Sequence, residues 1–132
     1  MANYVYPAIF TREENGQFSV SLPDIEGCYS GGDDLAEALE LAEDALALML
    51  YHYEKEAREI PLPSSIEAVD PGKDGFVNYV ACNTLEYQRR KNNKAVKKTL
   101  TIPEWLNEAA TSAGVNFSQL LQEAIINRLH LA

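Results

Sequence analysis

The side chains best suited to chemistry in this sequence are carboxylates. Asp24 and Glu26 stand in a turn-rich segment, and Glu37, Glu40, Glu43 and Asp44 recur along one helical stretch. Three or four carboxylates converging on ions about 4 Å apart would make a two-metal nuclease site. A solvated acidic face is the simpler reading of the same residues, and such a face also suits a basic protein partner. The other reactive residues are sparse. Cys28 and Cys82 form no Cys-x-x-Cys pair and lack a histidine at ligand spacing, so neither a zinc site nor a disulfide framework is expected. His52 and His130 have no matched nucleophile and read as surface or interface residues. No metal or cofactor is expected.

A second set of candidates lies near the other end. Lys97, Thr99 and Thr101 alternate with Val96, Leu100 and Ile102. Lysine donates to guanine O6 and N7, and threonine donates, accepts or touches a thymine methyl, so one edge of this strand has the chemistry to read DNA bases. Asn116-Phe117-Ser118 opens a helix whose first backbone N–H groups suit a phosphate. Lys94 and Lys98 add charge beside the strand.

Charge separates the two sets. The net charge is −9, but residues 1–82 hold sixteen acidic against four basic residues, while 83–132 hold four acidic against seven basic. Six of the basic residues fall within Arg89–Lys98, where no acidic residue occurs. Opposite halves imply two partners, a basic protein for the first and a polyanion for the second. With 46% apolar residues and no long apolar run, the composition points to a soluble, cytoplasmic protein with no membrane segment.

The elements that must position these residues follow from periodicity. Tyr4–Phe10 is aromatic and β-branched, Glu13–Gly16 is a turn, and Gln17–Leu22 alternates with period two, which makes a hairpin burying Phe18, Val20 and Leu22. Gly27, Gly31 and Gly32 punctuate a short segment around Cys28-Tyr29. A helix is expected over about residues 34–57, with Asp34 and Glu37 at capping-box spacing. Its apolar stripe runs through Leu35, Leu39, Ala42, Leu46, Met49, Leu50 and Tyr53. Pro61 and Pro63 begin an extended link, residues 65–69 read as a weak strand and residues 75–82 as a stronger one. The first 82 residues thus form an α+β unit of ββαββ order.

Residues 83–94 read as a linker with some helical character. Beyond it, the strand of residues 96–102 leads to two helices. Pro103 stands as the first helical residue and Gly114 closes the first helix. Asn116 caps the second, whose inner face carries Phe117, Leu120, Leu121, Ala124, Ile125 and Leu129. One strand and two helices in fewer than forty residues cannot bury enough surface to fold alone, and a lone strand leaves its edge unpaired. Two copies pairing their strands would answer both problems, with Leu100, Ile102, Leu106, Leu120, Leu121 and Ile125 in the shared core. Residues 95–132 resemble the ribbon-helix-helix family in this respect. That resemblance implies a homodimer whose two-stranded ribbon enters the DNA major groove, with Lys97, Thr99 and Thr101 outward.

The first half carries a second resemblance. Tyr6-Pro7-Ala8-Ile9-Phe10, Gly16, Phe18-Ser19-Val20, Pro23-Asp24-Ile25-Glu26-Gly27-Cys28, and Gly31 ahead of Ala36-Glu37-Ala38-Leu39 resemble the HicB antitoxin family. Glu26 departs from the pattern, which often has proline there. The resemblance implies a degenerate ribonuclease-H-like fold without nuclease activity, a HicA-type toxin partner and repression of its own operon. HicA-type toxins are small basic ribonucleases that cleave mRNA. Under that reading Asp24, Glu26, Glu37, Glu40, Glu43 and Asp44 face the toxin. Two other readings stay open: an orphan transcription regulator with a ligand-sensing first domain, and an active metal-dependent nuclease. Whether dimers pair into tetramers is also open.

Overall fold

The computed structural model describes residues 3–131. They divide into two compact units, parted between Lys94 and Ala95. The first unit is a four-stranded antiparallel sheet with one long helix on it. Strands β1 (Asn3–Arg12), β2 (Phe18–Ser21) and β3 (Tyr29–Gly32) precede helix α1 (Leu35–Lys55), and β4 (Gly75–Asn83) follows, with sheet order β3-β2-β1-β4.

The hairpin, the helix and the last strand form where periodicity expects them, but the order is βββαβ rather than ββαββ. The glycine-punctuated segment supplies the extra strand, β3, antiparallel to β2. Residues 65–69 are not a strand: Ile66–Ala68 is a single 3-10 turn. Its partner edge is missing because β4 already flanks β1 along nine residue pairs.

Pro7 lies in the interior strand β1, an unusual place for a residue that cannot donate to the ladder. The register explains it. Ile9 pairs with Ser21, the last residue of β2, so Pro7 sits beyond the end of that strand.

The core lies between one face of the sheet and α1. Tyr6, Ala8, Phe10, Val20 and Val80 from the strands meet Ala38, Ala42, Leu46, Leu50 and Tyr53 from the helix, with Leu22, Ile25 and Cys28 closing the end. The helical stripe is offset from the expected one. Leu35 is exposed and Leu39 only half-buried, while Ala38 is fully buried. The cause is the close approach of β3. A Cβ on Gly32 would meet the backbone of Glu37 and Ala38, 2.8 Å from the Glu37 carbonyl carbon, so only glycine on the strand and alanine on the helix fit there. Asp34 caps α1 by accepting from the Glu37 N–H at 2.8 Å, and the Glu37 carboxylate accepts in return from the Asp33 N–H at 3.0 Å.

Most of the residues expected as a linker belong to this unit. Helix α2 (Thr84–Lys91) begins directly after β4, with Asn83 as its cap, and buries Thr84 and Tyr87. The Tyr87 ring lies 5.8 Å from that of Tyr51 on α1.

The second unit holds α3 (Glu104–Ser112) and α4 (Phe117–Leu129). Pro103 is the cap residue of α3, one position earlier than expected, and Gly114 takes the left-handed conformation just past its end (φ 72°). Asn116 caps α4 by accepting from the Gln119 N–H at 3.1 Å. The expected strand at 96–102 is not formed in the single chain, where residues 92–103 have no regular structure. A strand needs a partner edge, and among the described residues of this unit there is no other strand.

Candidate functional site

Three of the six candidate carboxylates come together. Glu40, Glu43 and Asp44 of α1 line a cleft of about 730 Å³ with Asn3, Tyr4 and Val5 of β1, Ala81, Cys82 and Asn83 of β4, and Glu86 and Arg90 of α2. Helical spacing places Glu40, Glu43 and Asp44 on one side of α1, and the junction of β4 with α2 brings Glu86 opposite. Arg90 donates from Nη2 to Asp44 Oδ1 at 3.0 Å, so it ties α2 to α1 and neutralises one carboxylate. Glu40, Glu43 and Glu86 are exposed to solvent.

The other three candidates lie elsewhere. Asp24 is engaged within the unit: its carboxylate accepts from both the backbone N–H (2.9 Å) and the hydroxyl of Ser64, pinning the extended link after α1. Glu26 is exposed in the turn before Cys28, and Glu37 is committed to the cap of α1. Among the described residues no three His, Cys, Asp or Glu side chains are grouped to hold a metal ion.

Cys82 lines the cleft, yet it is a poor nucleophile. Burial, reinforced by the negative charges of Glu54 and Glu43, pushes its thiol from 9.0 up to about 12. Behind it the Tyr4 hydroxyl donates to Glu54 at 2.7 Å and the Thr84 hydroxyl to the same oxygen at 3.2 Å. Burial is the main cause raising Tyr4 to about 12, and the bond to Glu54 adds to it. One carboxylate thus fastens β1 and α2 to α1 behind the cleft. Cys28 is buried, and burial raises its thiol as well.

Sequence reasoning missed Glu86 and Arg90 because it read α2 as linker. The signal was present: Asn83 accepts from the Glu86 N–H at 2.9 Å, the Asn-x-x-Glu spacing of a helix start. The basic run that follows sits in the last turn of α2, where Arg89, Arg90 and Lys91 complement the negative helix end.

In the second unit an apolar cleft of about 490 Å³ is lined by Lys98, Leu100, Ile102, Asn107, Phe117, Ser118, Leu120, Leu121 and Ala124. Leu100, Ile102, Leu120 and Leu121 from the candidate core therefore share one surface, while Leu106 and Ile125 do not line it and are exposed. Lys98 lies on this apolar side with Leu100 and Ile102, not with Lys97, Thr99 and Thr101. Phe117 and Ser118 line the cleft too, at the start of α4. Lys94, Lys97, Thr99, Thr101 and Asn116 are exposed. No residue of this unit is buried among those described.

The profile of the family described as the HicB-like antitoxin of the bacterial toxin–antitoxin system covers residues 6–125. The chain belongs to that family. It is a family of antitoxins, not of enzymes. The chain is 43% identical over 63 residues to the antitoxin HicB 2 of Photorhabdus laumondii, a match covering 48% of this chain and 45% of that protein. It is 37% identical over 65 residues to the antitoxin HicB of Escherichia coli K12, covering 49% and 47%. The chain spans about half the length of the curated relatives it matches. Among solved structures, a chain of a toxin–antitoxin complex from Streptococcus pneumoniae aligns over 96% of this chain and 99% of its own length, with 28% identity and a TM-score of 0.62. Among the described residues no helix is long and apolar enough to cross a membrane.

Proposed function

We propose that this chain neutralises a HicA-type, mRNA-cleaving ribonuclease toxin by binding it with the first unit, and represses its own operon by binding operator DNA with the second. The observation that carries the first part is the cleft in which Glu40, Glu43 and Glu86 present exposed carboxylates beside the half-buried Tyr4–Glu54–Thr84 fastening. A toxin that binds RNA has a basic surface. Carboxylates held rigidly on α1 and α2 offer that surface the charge it meets on phosphates, and attraction between opposite charges accelerates encounter. The family, and the antitoxin relatives above, support the same reading.

For the second part, support comes from the uncovered apolar surface of residues 95–132. A second copy would cover it, and pairing of residues 96–102 across a two-fold axis would make the ribbon. Lys97, Thr99 and Thr101 would then face the DNA bases, with the start of α4 on a phosphate.

The test is a charge reversal. Glu40→Lys with Glu43→Lys should slow toxin association by about tenfold or more at low ionic strength, because the steering turns repulsive. The wild-type association rate should itself fall as salt rises. Stopped-flow mixing with the basic product of the adjacent gene measures both. An unchanged rate in the double variant would remove the cleft from the toxin interface, and absence of any complex would remove the function.

A further inference from the structure

Helix α1 carries two apolar lines. Ala38, Ala42, Leu46 and Leu50 face the sheet and are buried. Leu41, Ala45 and Leu48 stand at i, i+4 and i+7, which makes a second line along the helix. Leu41 is 42% exposed and Leu48 41%, with Ala45 half-buried between them, and neither leucine belongs to the core. The same spacing ties this line to carboxylates. Asp44 follows Leu41 by three residues and precedes Leu48 by four, so it sits beside both, and Glu37 precedes Leu41 by four. Asp44 also lines the acidic cleft with Glu40 and Glu43. The leucines therefore border the cleft's acidic wall.

We propose that Leu41 and Leu48 are the apolar anchors of the toxin complex, seated in an apolar groove of the toxin whose rim is basic. This rests on the reading of the first unit as the toxin-binding one and divides the labour within it. The carboxylates govern encounter, and the leucines govern how long the complex lasts. A helix that docks in a groove presents its anchors at this i, i+4, i+7 spacing. A few well-buried contacts carry most of the energy of an interface, whereas exposed ion pairs at its rim are worth little. Carboxylates alone would capture a toxin quickly and lose it quickly.

Charge selects the occupant. Helix α1 carries five acidic residues against one lysine, and four of the five lie between Glu37 and Asp44. Against the same line of a second copy, Glu37 and Asp44 would meet their like, and like charges set side by side across an interface are costly. A groove with basic residues on its rim satisfies the leucines and their carboxylate neighbours together.

The experiment uses the full chain and the basic product of the adjacent gene. Leu41→Gln with Leu48→Gln puts good helix formers on an exposed face, so circular dichroism should stay at wild type. Dissociation, followed after a chase with excess unlabelled antitoxin, should accelerate by about thirtyfold or more. Association at low salt should stay within about threefold of wild type, because the charges that steer it are untouched. Glu40→Lys with Glu43→Lys splits the other way, slowing association most. Leu41→Met with Leu48→Met restores apolar volume and should return dissociation to within about threefold of wild type, which separates lost contact from lost helix. A complex that forms normally and releases the glutamine variant at the wild-type rate would overturn the anchors and leave the toxin-binding reading standing. A methionine variant as fast as the glutamine one would overturn them too. So would a fall in self-associated mass with toxin kinetics unchanged, which would give the line to a second copy. A wild-type chain that forms no complex at all would overturn both readings.

Discussion

Replacing Leu100 with aspartate puts the dimeric reading of the tail at risk. In the single chain Leu100 is 61% exposed, although it lines an apolar cleft with Ile102, Phe117 and Leu120. A second copy covering that cleft would gain about 1.5–3 kcal/mol from burying one leucine. The aspartate forfeits this and adds a penalty for desolvating a carboxylate with no partner, which is at least as large. The two-fold axis counts each effect twice, so a loss of about 6 kcal/mol is a conservative figure. At 1.4 kcal/mol per decade, association of the tails weakens by roughly 10⁴-fold. Trp105 is the sole tryptophan and is 70% exposed in the single chain, so its emission should report the change. The wild type should shift to the red on dilution, and the variant should start there and stay. Operator binding followed by fluorescence anisotropy should vanish in parallel, while α1 keeps its circular dichroism. A variant that retains wild-type mass and operator affinity would refute the assignment of Leu100 to a shared core.

Three further outcomes follow from the geometry. Gly32→Ala drives a Cβ into the first turn of α1 and should cost about 1–3 kcal/mol; the melting temperature should fall by roughly 5–20 °C, and a change within about 2 °C would contradict the close approach. Cys82 and Tyr4 are both raised to about 12 from 9.0 and 10.0, so the unfolded chain ionises first. Their contribution to stability is whole below pH 9 and is lost as pH rises toward 12. Urea midpoints should therefore decline from pH 9 upward, and Cys82→Ala should delay the onset; a flat profile would argue against burial of both groups. If Lys94 of each of two paired tails meets one phosphate, operator affinity should drop roughly tenfold between 50 and 200 mM salt, and a nearly salt-independent affinity would exclude a phosphate contact by this lysine.

Much of the first unit was legible because period-two and helical patterns are local. The hairpin, α1 and β4 follow from alternation and capping signals carried by neighbouring residues. Strand β3 was not legible. Tyr29-Ser30-Gly31-Gly32 has the composition of a turn, and it becomes a strand only because β2 offers an edge and α1 presses on Gly32. Helix α2 was legible only as a linker with some helical character. Its polar and basic residues swamp the signal, and only Thr84 and Tyr87 reach the interior. The candidate site divided along the same line. Glu40, Glu43 and Asp44 share a helix, so their neighbourhood was readable, whereas Asp24 answers to Ser64, forty residues away in sequence.

The two units differ in what they require to be folded, and this has a consequence for the proposed function. The first has a complete core within one chain, so its carboxylates are positioned at any concentration. Among its described residues the second buries none, so under the proposed function its paired form would depend on concentration. Toxin capture would then scale with the amount of antitoxin, while operator occupancy would scale with the amount of paired tail and rise more steeply. The charge distribution reinforces the separation. Arg90 is bound to Asp44 on α1, and residues 95–132 carry three basic and three acidic residues. The tail therefore has no net charge with which to hold DNA as a monomer. Under the proposed function its affinity would come from placing Lys97 and the start of α4 twice at a fixed spacing, an arrangement that only a pair would provide.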